Sequence, residues 1–453
     1  MDHPIRVAII GAGPAGFFTA EALFKQGASV EIDIFNRYPP PFGLVRDGVA
    51  PDHEPIKSVT KVYQRLLDRP EVRYLGNVEI GRDLAIEELR SFYHHIVYAF
   101  GAQSDRRLGI PGEDLEGSAP ATTFVGWYNG HPAYADAAFD LSVEDVVVIG
   151  NGNVAIDVAR ILVLPMEVLE KTDIADHALE GLRRSRVRRV TLLGRRGPAQ
   201  AAFTNPELRE FGRIAGVSVN VLPNELDLDT ESARAVEEDR TRSRNLSTLR
   251  AYAEADVAPG PKEVRFRFLT SPIEILGEEG RVTGVRVERN RLAPSPSGRL
   301  QATGTGEIFD LSCGMVLRSV GYLGTPVPGV PHETYRGTVP NEDGRVLGED
   351  GAPLPGEYVV GWAKRGPSGV IGTNKADAAA TVQAMLEDSA DGVFAGEGPG
   401  TDPRRLLDDR GVQWIDEAAW ARLDAYERTQ GEPFGRPRVK VCSVEEMLRI
   451  ARS

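Results

Sequence analysis

The apolar run Val7-Ala8-Ile9-Ile10 is strand-sized, rich in β-branched residues and stops at Gly11. A continuous apolar run of this length predicts a strand buried on both faces of a parallel sheet. The period then changes. Phe17, Ala20, Leu23 and Phe24 recur at helical spacing, Gly27 breaks the pattern, and Val30-Glu31-Ile32-Asp33-Ile34-Phe35 reads as a second strand. The same succession returns about 140 residues later, with Val146-Val147-Val148-Ile149, a glycine-rich turn, a helical stretch from Ile156 through Leu162, and the strand Val190-Thr191-Leu192-Leu193. Residues 73–78 and 95–102 read as further strands of the first sheet, and residues 162–184 as a helical insertion in the second unit. Strands alternating with helices predict an α/β chain with two Rossmann-like dinucleotide-binding domains.

Towards the end, residues 358–362 read as a strand, 363–374 as a loop and 375–386 as a helix. From 413 onward the pattern predicts helices capping the assembly. Trp414, Ala418, Trp420, Leu423 and Tyr426 form a stripe expected to be core. The turn signals around residues 107–112 mark a hinge. The expected division is 1–107, 108–324 and 325–453.

The two turns carry the chemistry. Gly11-Ala12-Gly13-Pro14-Ala15-Gly16 and Gly150-Asn151-Gly152-Asn153-Val154-Ala155 each follow a strand and open a helix, the context in which this fingerprint binds a pyrophosphate. The helix N-terminus offers free N–H groups and a positive dipole end, and glycine lets the backbone reach the phosphates. Two such turns in one chain point to a flavoprotein that exchanges electrons with a nicotinamide cofactor. The second strand of the first unit ends at Asn36, where an acid that bonds a ribose hydroxyl is usual. The corresponding strand of the second unit ends at Gly194-Arg195-Arg196-Gly197, and two guanidinium groups there suit a 2′-phosphate, which selects NADP over NAD. In the loop after Trp362, a helix N-terminus and flexible backbone suit the carbonyl edge of a flavin ring.

With 453 residues the chain exceeds one core, and a net charge of −13 argues against nucleic acid or an anionic membrane as partners. The two cysteines, Cys313 and Cys442, lie far apart and form no C-x-x-C, which argues against thiol redox chemistry and a protein-bound iron–sulfur cluster. A cytoplasmic location is expected.

Phe42-Gly43-Leu44-Val45-Arg46, Gly48-Val49-Ala50-Pro51-Asp52-His53, the second glycine turn from Gly150 to Ala155, Gly194-Arg195-Arg196-Gly197-Pro198 and the stretch from Gly361-Trp362 to Asn374 together resemble the adrenodoxin-reductase-like ferredoxin–NADP reductases, particularly their actinobacterial members. The resemblance implies a discontinuous FAD domain built from both ends of the chain, with an NADP domain inserted between them. It further implies electron transfer from NADPH through FAD to a ferredoxin-type iron–sulfur protein. By position, FAD falls on Gly11, Gly13, Ala15, Asn36, Leu44, Trp362, Gly369, Val370, Ile371 and Thr373. NADP falls on Asn151, Asn153, Val154, Arg195, Arg196 and Glu207, with Gly369 near the nicotinamide. His53 and Glu210 resemble a pair lying close to the flavin, and a histidine that titrates near neutral pH suits a proton relay.

An acidic ferredoxin requires local positive charge on an acidic reductase, and Arg240, Arg242 and Arg244 are the first candidates for docking, ahead of the basic run 183–189. Two alternatives stand beside this reading: another two-dinucleotide flavoenzyme, such as a glutamate-synthase-like subunit, and a nonenzymatic NADP-binding sensor.

Overall fold

The structure, a computed structural model, describes residues 4–255, 260–295, 300–396 and 402–453. It divides into two compact units: Met1–Val49, His53–Arg106 and Gly321–Ser453 form one, Ala50–Asp52 and Arg107–Val320 the other. The division after Val320 falls slightly ahead of the expected 324/325 because Tyr322–Leu323 pairs antiparallel with Ser104–Asp105 inside the first unit.

Among the described residues, the first unit is built on a seven-stranded sheet. Its parallel core runs in the order Pro353–Val359, His95–Tyr98, Ile5–Ile10, Val30–Asn36, Val72–Gly76, and two short antiparallel strands extend the first edge. Because successive side chains of a strand point to opposite faces, the apolar run at the N-terminus serves two cores at once. Val7 and Ile9 pack with Phe17, Leu23, Tyr63 and Val382 on one face, whereas Ala8 and Ile10 pack with Leu75, Leu89 and Tyr98 on the other. Ile10 stands in register with Phe35 on one side and Tyr98 on the other. The chain after Ile10 therefore emerges at the carboxyl end of the sheet, in the crevice where open α/β sheets bind ligands.

The C-terminal stripe is partly core and partly not. Trp420 and Leu423 are fully buried, together with Ala419 and Glu427, whereas Tyr426 is exposed and so is Ala418. Helix Glu417–Gly431 turns at 3.6 residues, so 419, 420, 423 and 427 share its inner face and 418 and 426 fall outside it.

The second unit holds a six-stranded parallel sheet in the order Ser118–Pro120, Met315–Arg318, Asp145–Ile149, Arg189–Leu193, Lys262–Arg267, Val217–Val221. The expected helical insertion is two helices, Met166–Leu169 and Asp176–Arg183. A three-stranded antiparallel sheet, Thr270–Glu278, Arg281–Pro294 and Leu300–Ser312, is an element the hydrophobic pattern did not announce. Its outer strand is exposed along most of its length, so few apolar residues mark it.

Candidate nucleotide-binding sites

In the first unit, strand Ile5–Ile10 gives way to helix Pro14–Lys25 through Gly11-Ala12-Gly13. Gly11 has φ +117, and a Cβ there would lie 2.5 Å from the carbonyl oxygen of Ala99, so the turn tolerates no other residue. Gly13, the residue before the helix, differs: a Cβ there would meet nothing within 4 Å. The turn is tight behind and open in front, where the helix N-terminus presents its N–H groups. Pro14 at the first helical position costs nothing, since its missing N–H would have had no intrahelical partner.

Two neighbouring segments wall this cradle. The Phe42 N–H donates to the Ala12 carbonyl at 2.7 Å, and Phe42 takes up φ +86, an unusual conformation for a bulky residue, to carry Gly43 against Gly13 and expose Leu44. Asn36, at the end of the second strand, is engaged on three sides. Its Oδ1 accepts from the Ala12 N–H at 3.3 Å, and its Nδ2 donates to the carbonyls of Tyr38 and Pro40 at 2.8 Å each.

The third wall is the stretch after Pro353–Val359. Gly361 passes helix Pro14–Lys25 so closely that a Cβ would lie 2.6 Å from that of Ala15. Trp362 opens a short helix, Trp362–Arg365, within what the sequence presented as a strand end and a loop. Its indole Nε1 donates to the Ser368 carbonyl at 3.2 Å, and its ring lies 5.2 Å from that of Tyr322. The long helix begins two residues earlier than expected and spans Thr373–Ala390. Gly369, Val370 and Thr373 are exposed around its positive end, with Ile371 half-buried. Asp377 ties this wall together, accepting from the Gly361 N–H at 2.6 Å and from Arg365 at 2.9 Å and pairing with Lys364 at 3.1 Å. Arg365 in turn donates to Asn374 at 2.9 Å.

The second unit repeats the cradle. Gly150 has φ +145, and a Cβ would stand 2.1 Å from the Ser319 carbonyl oxygen, whereas a Cβ on Gly152 would meet nothing within 4 Å. Helix Asn153–Val163 starts there. The Asn153 side chain accepts from the Thr204 N–H at 2.8 Å, and the Asn151 carbonyl accepts from the Ala202 N–H at 2.9 Å, so the segment 202–204 is fastened to the turn. Arg195 and Arg196 follow strand Arg189–Leu193 directly and are exposed. Their backbone is held by Asn290, which donates to the Arg195 carbonyl at 2.8 Å, and by the Leu269 N–H, which donates to the Arg196 carbonyl at 3.1 Å. Among the described residues, neither guanidinium makes a hydrogen bond or an ion pair.

On the same helix, Arg160 is 1 % exposed and gathers four carboxylates: Asp52 at 2.6 Å, Asp157 at 2.8 Å, Glu207 at 3.2 Å and Glu210 at 3.4 Å. Burial opposes its charge, but Asp157, Asp52 and Glu210 outweigh that and raise its pKa above the ordinary arginine range. Glu207 and Glu210 thus meet at Arg160. His53 is a buried residue of the first unit, at the start of helix Glu54–Lys57.

Sequence reasoning missed Asp377 and Arg160. Each had a visible signal: Asp377 is flanked by alanines in 375–380, and Arg160 stands in the apolar stretch 158–162. A charge set among apolar residues of a helix calls for ion-pair partners where it is buried.

A family model for the pyridine nucleotide-disulphide oxidoreductases matches residues 5–211. The chain is 47 % identical to the NADPH-ferredoxin reductase FprA of Mycobacterium tuberculosis, over 99 % of both chains. It is 41 % identical to the mitochondrial NADPH:adrenodoxin oxidoreductase of Arabidopsis thaliana, over 99 % of this chain and 96 % of that one. The solved structure of Mycobacterium tuberculosis FprA in complex with NADPH superposes with a TM-score of 0.94 at 46 % identity, covering the whole of both chains. No helix among the described residues is long and apolar enough to cross a membrane. Two strand–turn–helix cradles in two units, joined to full-length identity of this order, place the chain in the NADPH-ferredoxin and adrenodoxin reductase family.

Proposed function

We propose that this chain is an FAD-dependent NADPH–ferredoxin reductase, taking electrons from NADPH and delivering them one at a time to a ferredoxin-type iron–sulfur protein. The observation that carries the reading is the repeated cradle, one in each unit, with a bare glycine facing open space. Bound FAD supplies the means of accepting an electron pair and releasing it singly. The chain supplies binding, orientation and electrostatics. In the first unit, Gly11, Gly13 and Ala15 receive the pyrophosphate at the helix N-terminus, Leu44 covers it, and Asn36 braces the turn on the adenosine side. Trp362 and the stretch Gly369, Val370, Ile371 and Thr373 border the ring, where the positive end of helix Thr373–Ala390 favours negative charge.

In the second unit, Asn151, Asn153 and Val154 hold the NADP pyrophosphate, Arg195 and Arg196 the 2′-phosphate, and Glu207 serves the same nucleotide, fixed by Arg160. His53 and Glu210 are assigned to proton exchange at flavin N5. Docking of an acidic ferredoxin falls to the arginines at the start of helix Arg240–Glu254, namely Arg240, Arg242 and Arg244, of which Arg240 and Arg244 share one face. Two unbridged cysteines accord with a cytoplasmic setting.

Stopped-flow mixing with NADPH and NADH in parallel, followed by addition of ferredoxins, tests the reading. The expected result is a yellow protein bleached faster by NADPH and recoloured by a ferredoxin. A protein that stays colourless after reconstitution with FAD is a nucleotide sensor instead.

A further inference from the structure

We propose that Arg242 belongs to the pocket that reads the 2′-phosphate of NADP, so that three arginines rather than two form it and the basic run 240–244 serves two ligands from opposite sides of one helix. This rests on the reading of NADPH as electron donor. At about 100° per residue, Arg240 and Arg244 lie about 40° apart around helix Arg240–Glu254, and each is about 200° away from Arg242. The buried residues of that helix are Asn245, Leu246 and Leu249, and all three fall on the side of Arg242.

That side faces the nucleotide turn through direct contacts. Asn245, one turn beyond Arg242, donates to the Phe203 carbonyl at 3.0 Å. The neighbours of Phe203 bond the other way, Ala202 to Asn151 and Thr204 to Asn153. The short segment 202–204 is therefore clamped between the glycine turn and the face bearing Arg242. The helix also packs on residues Pro198–Gln200, immediately after the arginine pair.

Charge points the same way. Partial burial first, then the neighbouring cations Arg195 and Arg242, hold Arg196 below the ordinary arginine range. The nearest acid to Arg242 is Asp239 at 3.6 Å, which already caps the helix by accepting from the Thr241 and Arg242 N–H groups at 2.7 and 3.1 Å. Arg242 remains 44 % exposed, open to an incoming ligand. Three neighbouring guanidinium groups with one acid among them, Asp239 beside Arg242, repel one another until a dianion joins them, and a phosphate monoester accepts forked donors from several sides.

The test is calorimetric titration of the holoenzyme with 2′,5′-ADP and with 5′-ADP, which needs no turnover. Arg242→Ala should weaken 2′,5′-ADP by about tenfold, the loss of a charge-assisted bond, and leave 5′-ADP little changed. Arg240→Ala and Arg244→Ala should leave both ligands as in the unaltered protein. Thermal melting checks folding, and Arg242→Lys should recover part of the affinity. If Arg242→Ala keeps the full preference for 2′,5′-ADP while Arg195→Ala or Arg196→Ala loses it, the inference is overturned and the NADPH reading stands. If none of the three variants alters the preference, both fall.

Discussion

Asn36 occupies the place where an acid normally meets the ribose, and the structure shows its amide spent on the protein itself. One oxygen holds the glycine turn and one nitrogen holds two carbonyls of the following loop. A carboxylate cannot donate, so the apparently restorative change Asn36→Asp would set a charge against the carbonyls of Tyr38 and Pro40. We expect that variant to lose about 1–3 kcal/mol of stability and to bind FAD more weakly, not more tightly. Urea melts and fluorimetric FAD titration measure both. An unchanged midpoint with tighter FAD would mean that the amide serves the ribose alone.

Among the elements, helix Glu417–Gly431 carries a buried carboxylate, Glu427, whose charge ties it to two other segments. Glu427 is completely buried and receives both Nη atoms of Arg46, at 2.8 and 2.5 Å, and Nη1 of Arg438 at 3.1 Å. Burial alone would raise its pKa, yet Arg46 and Arg438, together with the Val441 N–H, pull it below the usual glutamate value. A carboxyl depressed in the folded state contributes stability above its unfolded pKa and loses it as pH falls through the folded one. Glu427→Gln should therefore cost about 3–5 kcal/mol at neutral pH by taking the two-pronged carboxylate partner from the buried Arg46, while Arg438 keeps Asp424 at 2.7 Å, and the penalty should shrink in acid. Urea titrations at pH 7 and pH 3 check the sign, and an equal penalty at both would exclude this account.

The same helix shows how far the sequence could be read. Periodicity located Trp420 and Leu423 correctly, because burial of apolar residues is what periodicity records. It was silent on Glu427, because a polar core position looks like surface until its partner, 381 residues away at Arg46, is known. The strand–turn–helix cradles were legible for the opposite reason, since their constraint is local: one glycine must avoid a carbonyl and another must leave room. The antiparallel sheet of Thr270–Ser312 was not, since its outer strand faces solvent and carries little apolar signal.

For the molecule as a whole, a net charge of −13 would repel an acidic ferredoxin of the kind proposed above unless positive charge is concentrated where the two meet. Arg240 and Arg244 are exposed, on one face of helix Arg240–Glu254 and opposite the face that packs on the nucleotide turn. Among the described residues their guanidinium groups have no ion-pair partner, so their field is not cancelled locally. Screening sets the test, because exposed charges act over about 10 Å at 0.1 M salt and lose reach beyond that. Replacing both with glutamate should raise the apparent KM for ferredoxin at least several-fold at low salt and flatten its dependence on ionic strength. Reduction of ferricyanide, which needs no docking surface, should continue at the original rate. Equal losses with both acceptors would locate the damage in the electron path and move the docking site elsewhere, to the other basic run at 183–189.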